Sequence, residues 1–146
     1  MMNTSFTKVQ CRPVGAVLMA VSALVAVATS GAHGQEVGVE VKQVRVEKLA
    51  NAPGKTLTVV TVNYAPGGKS GAHHHAGSVF AYVLSGAIRS ENSATGPVKV
   101  YKTGESFFEP SGSRHLVSEN ASATEPARML VVFVADDAAQ LTTFDK

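Results

Sequence analysis

The chain has 146 residues, with 13 Lys and Arg against 11 Asp and Glu and a single cysteine, which is room for one domain and a tail. Lys8 and Arg12 are the only charges in the first 34 residues, so the remainder carries 11 of each sign and is formally neutral. Without a basic excess or a clustered basic stripe, nucleic-acid binding has no electrostatic support.

Residues 1–34 read as a targeting segment. Lys8 and Arg12 form a basic start, Val14 to Ala28 is an apolar run broken only by Gly15 and Ser22, and Ala32-His33-Gly34 resembles a small-x-small cleavage site. Cleavage there starts the exported protein at Gln35, while a second candidate, Ala28-Thr29-Ser30, cuts a few residues earlier. The alternative is an uncleaved anchor, but the apolar run is 15 residues, short of the about 20 that a crossing helix needs. Cys11 precedes that run, which argues against a lipoprotein. The expectation is a signal peptide over 1–34 and one domain over 35–146, periplasmic or secreted, with no stable membrane insertion after cleavage. That domain has no cysteine, so no disulfide staples it, and a metal would be held through nitrogen or oxygen.

In chain order, Val37, Val39 and Val41 alternate with polar residues, and the pattern resumes at Val44 and Val46 after a one-residue slip, predicting a strand with a bulge. Asn51-Ala52-Pro53-Gly54 is a turn. Thr56 to Tyr64 is rich in β-branched residues and predicts a strand, closed by Ala65-Pro66-Gly67-Gly68. Next come His73, His74 and His75 in a β-region. Residues two apart on a strand share a face, so His73 and His75 look one way and His74 the other. Further strands are predicted at Ser78 to Leu84, Ala87 to Ser90, Val98 to Lys102, Ser106 to Glu109, Leu116 to Ser118 and Arg128 to Val134, with a polar loop from Glu91 to Pro97. Asp136 to Phe144 fits a short terminal helix capped by Asp136 or Asp137, or else a frayed tail. Many short strands with no convincing helix between them favour an all-β sandwich or closed barrel.

Two glycine-framed stretches carry the chemistry. In the first, Gly67 is followed by His73, His75 and Gly86; in the second, Gly104 is followed by Pro110, Gly112 and His115. In this order they resemble the paired motifs of the cupin superfamily, over the 54 residues from Gly67 to Asn120. The resemblance implies a double-stranded β-helix, a jelly-roll barrel of the small quercetin-dioxygenase-like type. It also implies that His73, His75 and His115 meet at the barrel mouth and hold a divalent transition metal, one of Fe, Mn, Ni, Cu or Zn. Neutral imidazole suits all of these ions.

The family pattern usually places a glutamate four residues after the second histidine, and here that position is Val79. Three imidazoles alone leave about half of an octahedral shell open. Such a site is similar to that of cysteine dioxygenase and several diketone-cleaving cupins, and less like the germin-type oxidases. A carboxylate from elsewhere is the alternative. Glu105, Phe107 and Glu109 share one strand face and Ser106 and Phe108 the other, which makes Glu109, next to the Pro110 turn, the substitute ligand or general base. A buried unpaired carboxylate is costly, so the sequence favours Phe108 in the core and Glu109 in solvent.

Glu119 stands where the second motif often has asparagine, with Asn120 one residue late. Phe80, Tyr82, Tyr101, Phe107 and Phe108 are candidates for an apolar pocket or for plain packing. Arg114 either meets an anionic substrate or stays solvated. The function implied is that of an exported metal-dependent enzyme acting on a small oxygenated substrate, by dioxygenase-like chemistry or by Lewis-acid isomerisation or decarboxylation. A non-catalytic metal-binding or small-molecule-binding cupin is the alternative. Expected partners are that small molecule and a second copy of the chain, since barrel edges invite pairing.

Overall fold

The computed structural model describes residues 36–146, so the signal peptide expected over 1–34 lies outside it. Among the described residues no helix is long and apolar enough to cross a membrane. The strands are β1 (Glu36–Lys48), β2 (Lys55–Ser70), β3 (His73–His75), β4 (Ser78–Ser85), β5 (Ala87–Asn92), β6 (Gly96–Lys102), β7 (Ser106–Glu109), β8 (Arg114–Asn120), β9 (Ala127–Asp136) and β10 (Thr142–Phe144). One sheet runs β1-β2-β9-β4-β7 and the other β10-β3-β8-β5-β6, and the two are continuous through β2.

That continuity comes from a corner within a single strand. From Lys55 to Tyr64, β2 pairs with β9, whereas Lys69 and Ser70 pair with Glu119 and Ser118 of β8. Between them Gly67 takes a φ of 68°, and a Cβ on Gly68 would lie 2.7 Å from the Gly38 carbonyl oxygen. Only glycine meets both demands cheaply. The expected jelly-roll barrel is therefore closed along one side by β2 changing sheets.

Strand alternation divides the interior into an apolar and a polar wall. Val60 and Val62 on β2, Val79, Ala81 and Val83 on β4, and Met129, Val131 and Phe133 on β9 are buried against one another. Burying such side chains contributes about 1.5–3 kcal/mol each, which is the main stabilisation open to a domain without disulfides. The facing sheet turns His73, His75, Ser90, Asn92, His115 and Ser118 inward instead.

Most predicted strands are present and somewhat longer than expected. The slip in the valine alternation is a bulge between Gln43 and Arg45, and the Glu91–Pro97 loop shortens because β5 runs to Asn92 and β6 starts at Gly96. The short terminal helix is corrected. Residues Thr142 to Phe144 form β10, antiparallel to His73–His75, and Asp137 accepts hydrogen bonds from Thr56 and Lys48 instead of capping a helix. Ala138 sits at φ 60°, which ends any helical run, and strand pairing satisfies the edge of β3 as a helix could not.

Gly77, between β3 and β4, tests how closely the strands approach. A Cβ there would lie 2.1 Å from the Val134 carbonyl oxygen and 2.7 Å from the Ala135 Cα. Both obstacles are backbone, so Gly77→Ala is expected to lower stability by about 1–3 kcal/mol, read as a drop in the urea midpoint. An unchanged midpoint would mean that β9 does not run this close to the β3–β4 turn.

Candidate metal centre

β3 supplies His73 and His75, and β8 supplies His115 directly opposite His73 in the antiparallel register. All three are buried. Their ring centroids are 4.8 Å (73–75), 5.0 Å (73–115) and 6.4 Å (75–115) apart, and one ring nitrogen from each lies within 4.8 Å of the others. His74 takes the opposite face, as alternation requires, with Nδ1 3.5 Å from the Asp145 carboxylate.

Hydrogen bonds fix two of the tautomers. Nδ1–H of His73 donates to the Gly71 carbonyl at 2.7 Å and Nδ1–H of His75 to the Leu141 carbonyl at 3.0 Å. A carbonyl only accepts, so the proton is on Nδ1 and the lone pair on Nε2. Burial pushes the His73 pKa down to about 4, against the Gly71 hydrogen bond, and lowers that of His75 as well. Both rings are thus neutral near pH 7, the state a metal ligand needs.

His115 is held at both nitrogens. Nδ1 lies 3.1 Å from Glu109 Oε1, and Nε2 lies 2.9 Å from Ser90 Oγ. An ionised carboxylate only accepts, so Nδ1–H of His115 donates to Glu109, which leaves the Ser90 hydroxyl to donate to Nε2. For His115 to serve an ion, one contact must yield. Only the hydroxyl can turn away without leaving a charge unpaired.

Glu109 corrects the reading of β7. Phe107 and Glu109 face inward, while Phe108 is 50% exposed and Glu109 2%. The burial penalty that argued otherwise applies to an unpaired carboxylate, and this one is paired: besides His115 it accepts from Asn92 Nδ2 at 3.1 Å and lies 4.0 Å from His75 Nε2. Burial by itself would raise its pKa, but the contacts with His115, His75 and Asn92 outweigh that and hold it below the usual carboxylate range. In the β4–β7 register the partner of Glu109 is Val79. The position that lacks the family glutamate therefore faces, one strand over, a residue that has it.

The site opens into a cavity of about 240 Å³ whose walls include Val62, Ala81, Met129 and Phe133. Among the described residues no Lys or Arg lines it. Arg114 forms an ion pair with Asp145 at 2.7 Å on the outside of the barrel. The aromatic candidates do not line the cavity: Phe80, Tyr82 and Phe108 are on the outer surface, and Tyr101 packs on Phe107 at 4.9 Å. The aromatic residues that line it are instead Tyr64, Phe133, 5.2 Å from the His75 ring, and Phe144, 5.5 Å from His73. Glu119 pairs with Arg89, and the Asn120 amide donates to the Ala65 and Glu125 carbonyls, so neither belongs to the site. Ser90 and Asn92, passed over in the sequence, share strand parity with the fully buried Ile88, and that parity is the signal that places them inside.

A two-sheeted barrel with a histidine cluster turned into its cavity defines the architecture. The cupin domain model matches residues 60–133, just over half of the sequence, and the chain belongs to the cupin superfamily. No protein of curated function matches significantly. Among solved structures, a cupin-like protein from Thermotoga maritima is similar with a TM-score of 0.61 at 19% identity, over 80% of this chain and 84% of the other. The DMSP lyase DddQ from Ruegeria pomeroyi gives 0.59 at 18% identity, over 77% and 57%. Oxalate decarboxylase from Bacillus subtilis gives 0.59 at 23% identity, over 75% and 28%. At these identities the likeness is one of fold.

Proposed function

We propose that the chain is an exported metal-dependent enzyme acting on a small oxygenated molecule, with His73, His75, His115 and Glu109 as the metal-binding set. The observation that carries this reading is the pair of carbonyl-fixed tautomers at His73 and His75, beside a buried carboxylate in the same cavity. Nitrogen and oxygen donors of this kind suit Fe, Mn, Ni, Cu or Zn. A bound ion would supply Lewis acidity and, if redox-active, a route for electrons to dioxygen. Export rests on the basic start and apolar run of residues 1–34.

Charge and size narrow the substrate. A divalent ion, neutral imidazoles and the Glu109 carboxylate leave a single net positive charge at the centre; no Lys or Arg in the lining adds to it, and the exposed Glu36 carboxylate, which also lines the cavity, offsets it. A neutral molecule or a monoanion is favoured over a dianion. The cavity, about 240 Å³, falls below the roughly 300–1,000 Å³ of pockets for drug-sized ligands, which favours a small one. Held off the ion, Glu109 would instead be the carboxylate beside His75 and His115 that accepts a proton from the bound molecule.

The test is a turnover screen of protein reconstituted in turn with Fe, Mn, Ni, Cu and Zn. Oxygen uptake and product formation are followed with a catechol, a flavonol, a β-diketone and small hydroxy acids. The expected result is metal-dependent turnover of at least one neutral or monoanionic compound. Oxygen consumption marks a dioxygenase, and turnover without it marks Lewis-acid chemistry. Tight metal binding with no turnover of any compound would leave a non-catalytic binding module.

A further inference from the structure

The cavity holds a second polar group that the metal set does not use. Tyr64, 2% exposed, ends the inward row Val60, Val62, Tyr64 on β2. Its hydroxyl lies 2.8 Å from Ser118 Oγ and 3.2 Å from Ser70 Oγ. All three side chains line the same cavity as the histidines. Thr142 bonds His75 and Glu36 is exposed; every other lining residue outside the histidines and Glu109 is apolar.

Counting protons gives the cluster a direction. Each hydroxyl has one proton to donate and two lone pairs to accept. Three hydroxyls joined by two contacts use two protons, and among the described residues no acceptor takes the third. Burial pushes the tyrosine pKa above its ordinary value, against its bonds to Ser118 and Ser70, so the phenol keeps its proton. One hydroxyl proton of the three is thus left for a partner outside the cluster, and the cavity that all three side chains line is where a ligand oxygen would meet it.

We propose that the Tyr64–Ser118–Ser70 cluster is a specificity site: it donates a hydrogen bond to a second acceptor oxygen of the molecule whose first oxygen sits at the histidine centre. This rests on the metal-site reading above. It sets the substrate class as a small neutral or monoanionic compound with two oxygen functions separated by an apolar segment, which lies along the Val60, Val62 and Met129 wall. The cluster positions that compound and takes no part in bond making.

The test uses metal-loaded protein and compares catechol, which has only the chelating pair, with 3-methoxycatechol, 4-nitrocatechol and 3,4-dihydroxybenzaldehyde, which add an acceptor. Affinities are measured by calorimetry for the native protein, Tyr64→Phe and Ser118→Ala, with metal content determined for each. The expected result is that at least one substituted catechol weakens about fivefold or more in Tyr64→Phe, while catechol itself changes less than twofold. Ser118→Ala is expected to do the same, and it carries the test if Tyr64→Phe does not fold. Equal weakening of all four probes, or no weakening of any, overturns the specificity site and leaves the cluster packed around a trapped water. Native protein that takes up no metal overturns the metal-site reading, and this one with it.

Discussion

A triple variant with His73, His75 and His115 changed to alanine is expected to hold no divalent metal, under conditions in which the native protein carries close to one ion per chain by elemental analysis. A structural zinc site with four ligands is worth about 10–16 kcal/mol of binding. The loss of one ligand therefore costs several kcal/mol, and each single His→Ala change should weaken metal binding more than 100-fold, on the order of 3 kcal/mol. His115→Ala should cost more stability than the other two, because it also takes the chief partner from the buried Glu109 carboxylate. Glu109→Gln separates ligation from packing: it keeps the shape and the chance of a bond to Asn92 but removes the charge, and should lower metal affinity by about 10–100-fold. Equal metal in the native protein and the triple variant would sink the metal-site reading.

The second large effect is a loss of stability in acid for the metal-free protein. The His73 pKa is about 4 in the fold against 6.5 for a free imidazole. Between these values the unfolded chain binds the proton that the folded chain refuses, so stability is full above pH 6.5 and falls as the pH drops toward 4. The difference amounts to on the order of 3 kcal/mol from His73 alone, and His75 is shifted in the same direction. Glu109, held low, adds a further loss below the ordinary carboxylate pKa as it protonates. Urea midpoints at pH 7, 6, 5 and 4 should trace this fall, and His73→Asn should flatten it. An identical pH dependence in His73→Asn would show that the ring is not buried neutral. With metal present the fall should steepen, because the ion needs the same lone pairs that acid removes.

Half of the site's frame was legible because it is local. His73 and His75 share a face by alternation, whereas the arrival of His115 beside them, from a strand far along the chain, was implied by the resemblance to the paired cupin motifs. What failed was non-local. Phe108 and Glu109 were placed by the cost of burying an unpaired carboxylate; the partners that pair it, His115 and Asn92, come from two other strands. The terminal segment has the local signature of a capped helix, but its conformation is decided by the open edge of β3, which lies 66 or more residues earlier for the Leu141 contact. The hydroxyl cluster was invisible for the same reason, since Ser118 is 54 residues from Tyr64 and neither carries a motif.

The carbonyl that fixes the His75 tautomer belongs to Leu141, and the ring that covers His73 is Phe144, two residues from the end of the sequence. Without these residues β3 would keep β8 as a partner but lose the carbonyl that orients His75 and the ring that covers His73. The orientation of the β3 histidines is thus set from β10 as well as from β3 itself, so a substitution that unseats Thr142–Phe144 loosens both rings without touching either histidine.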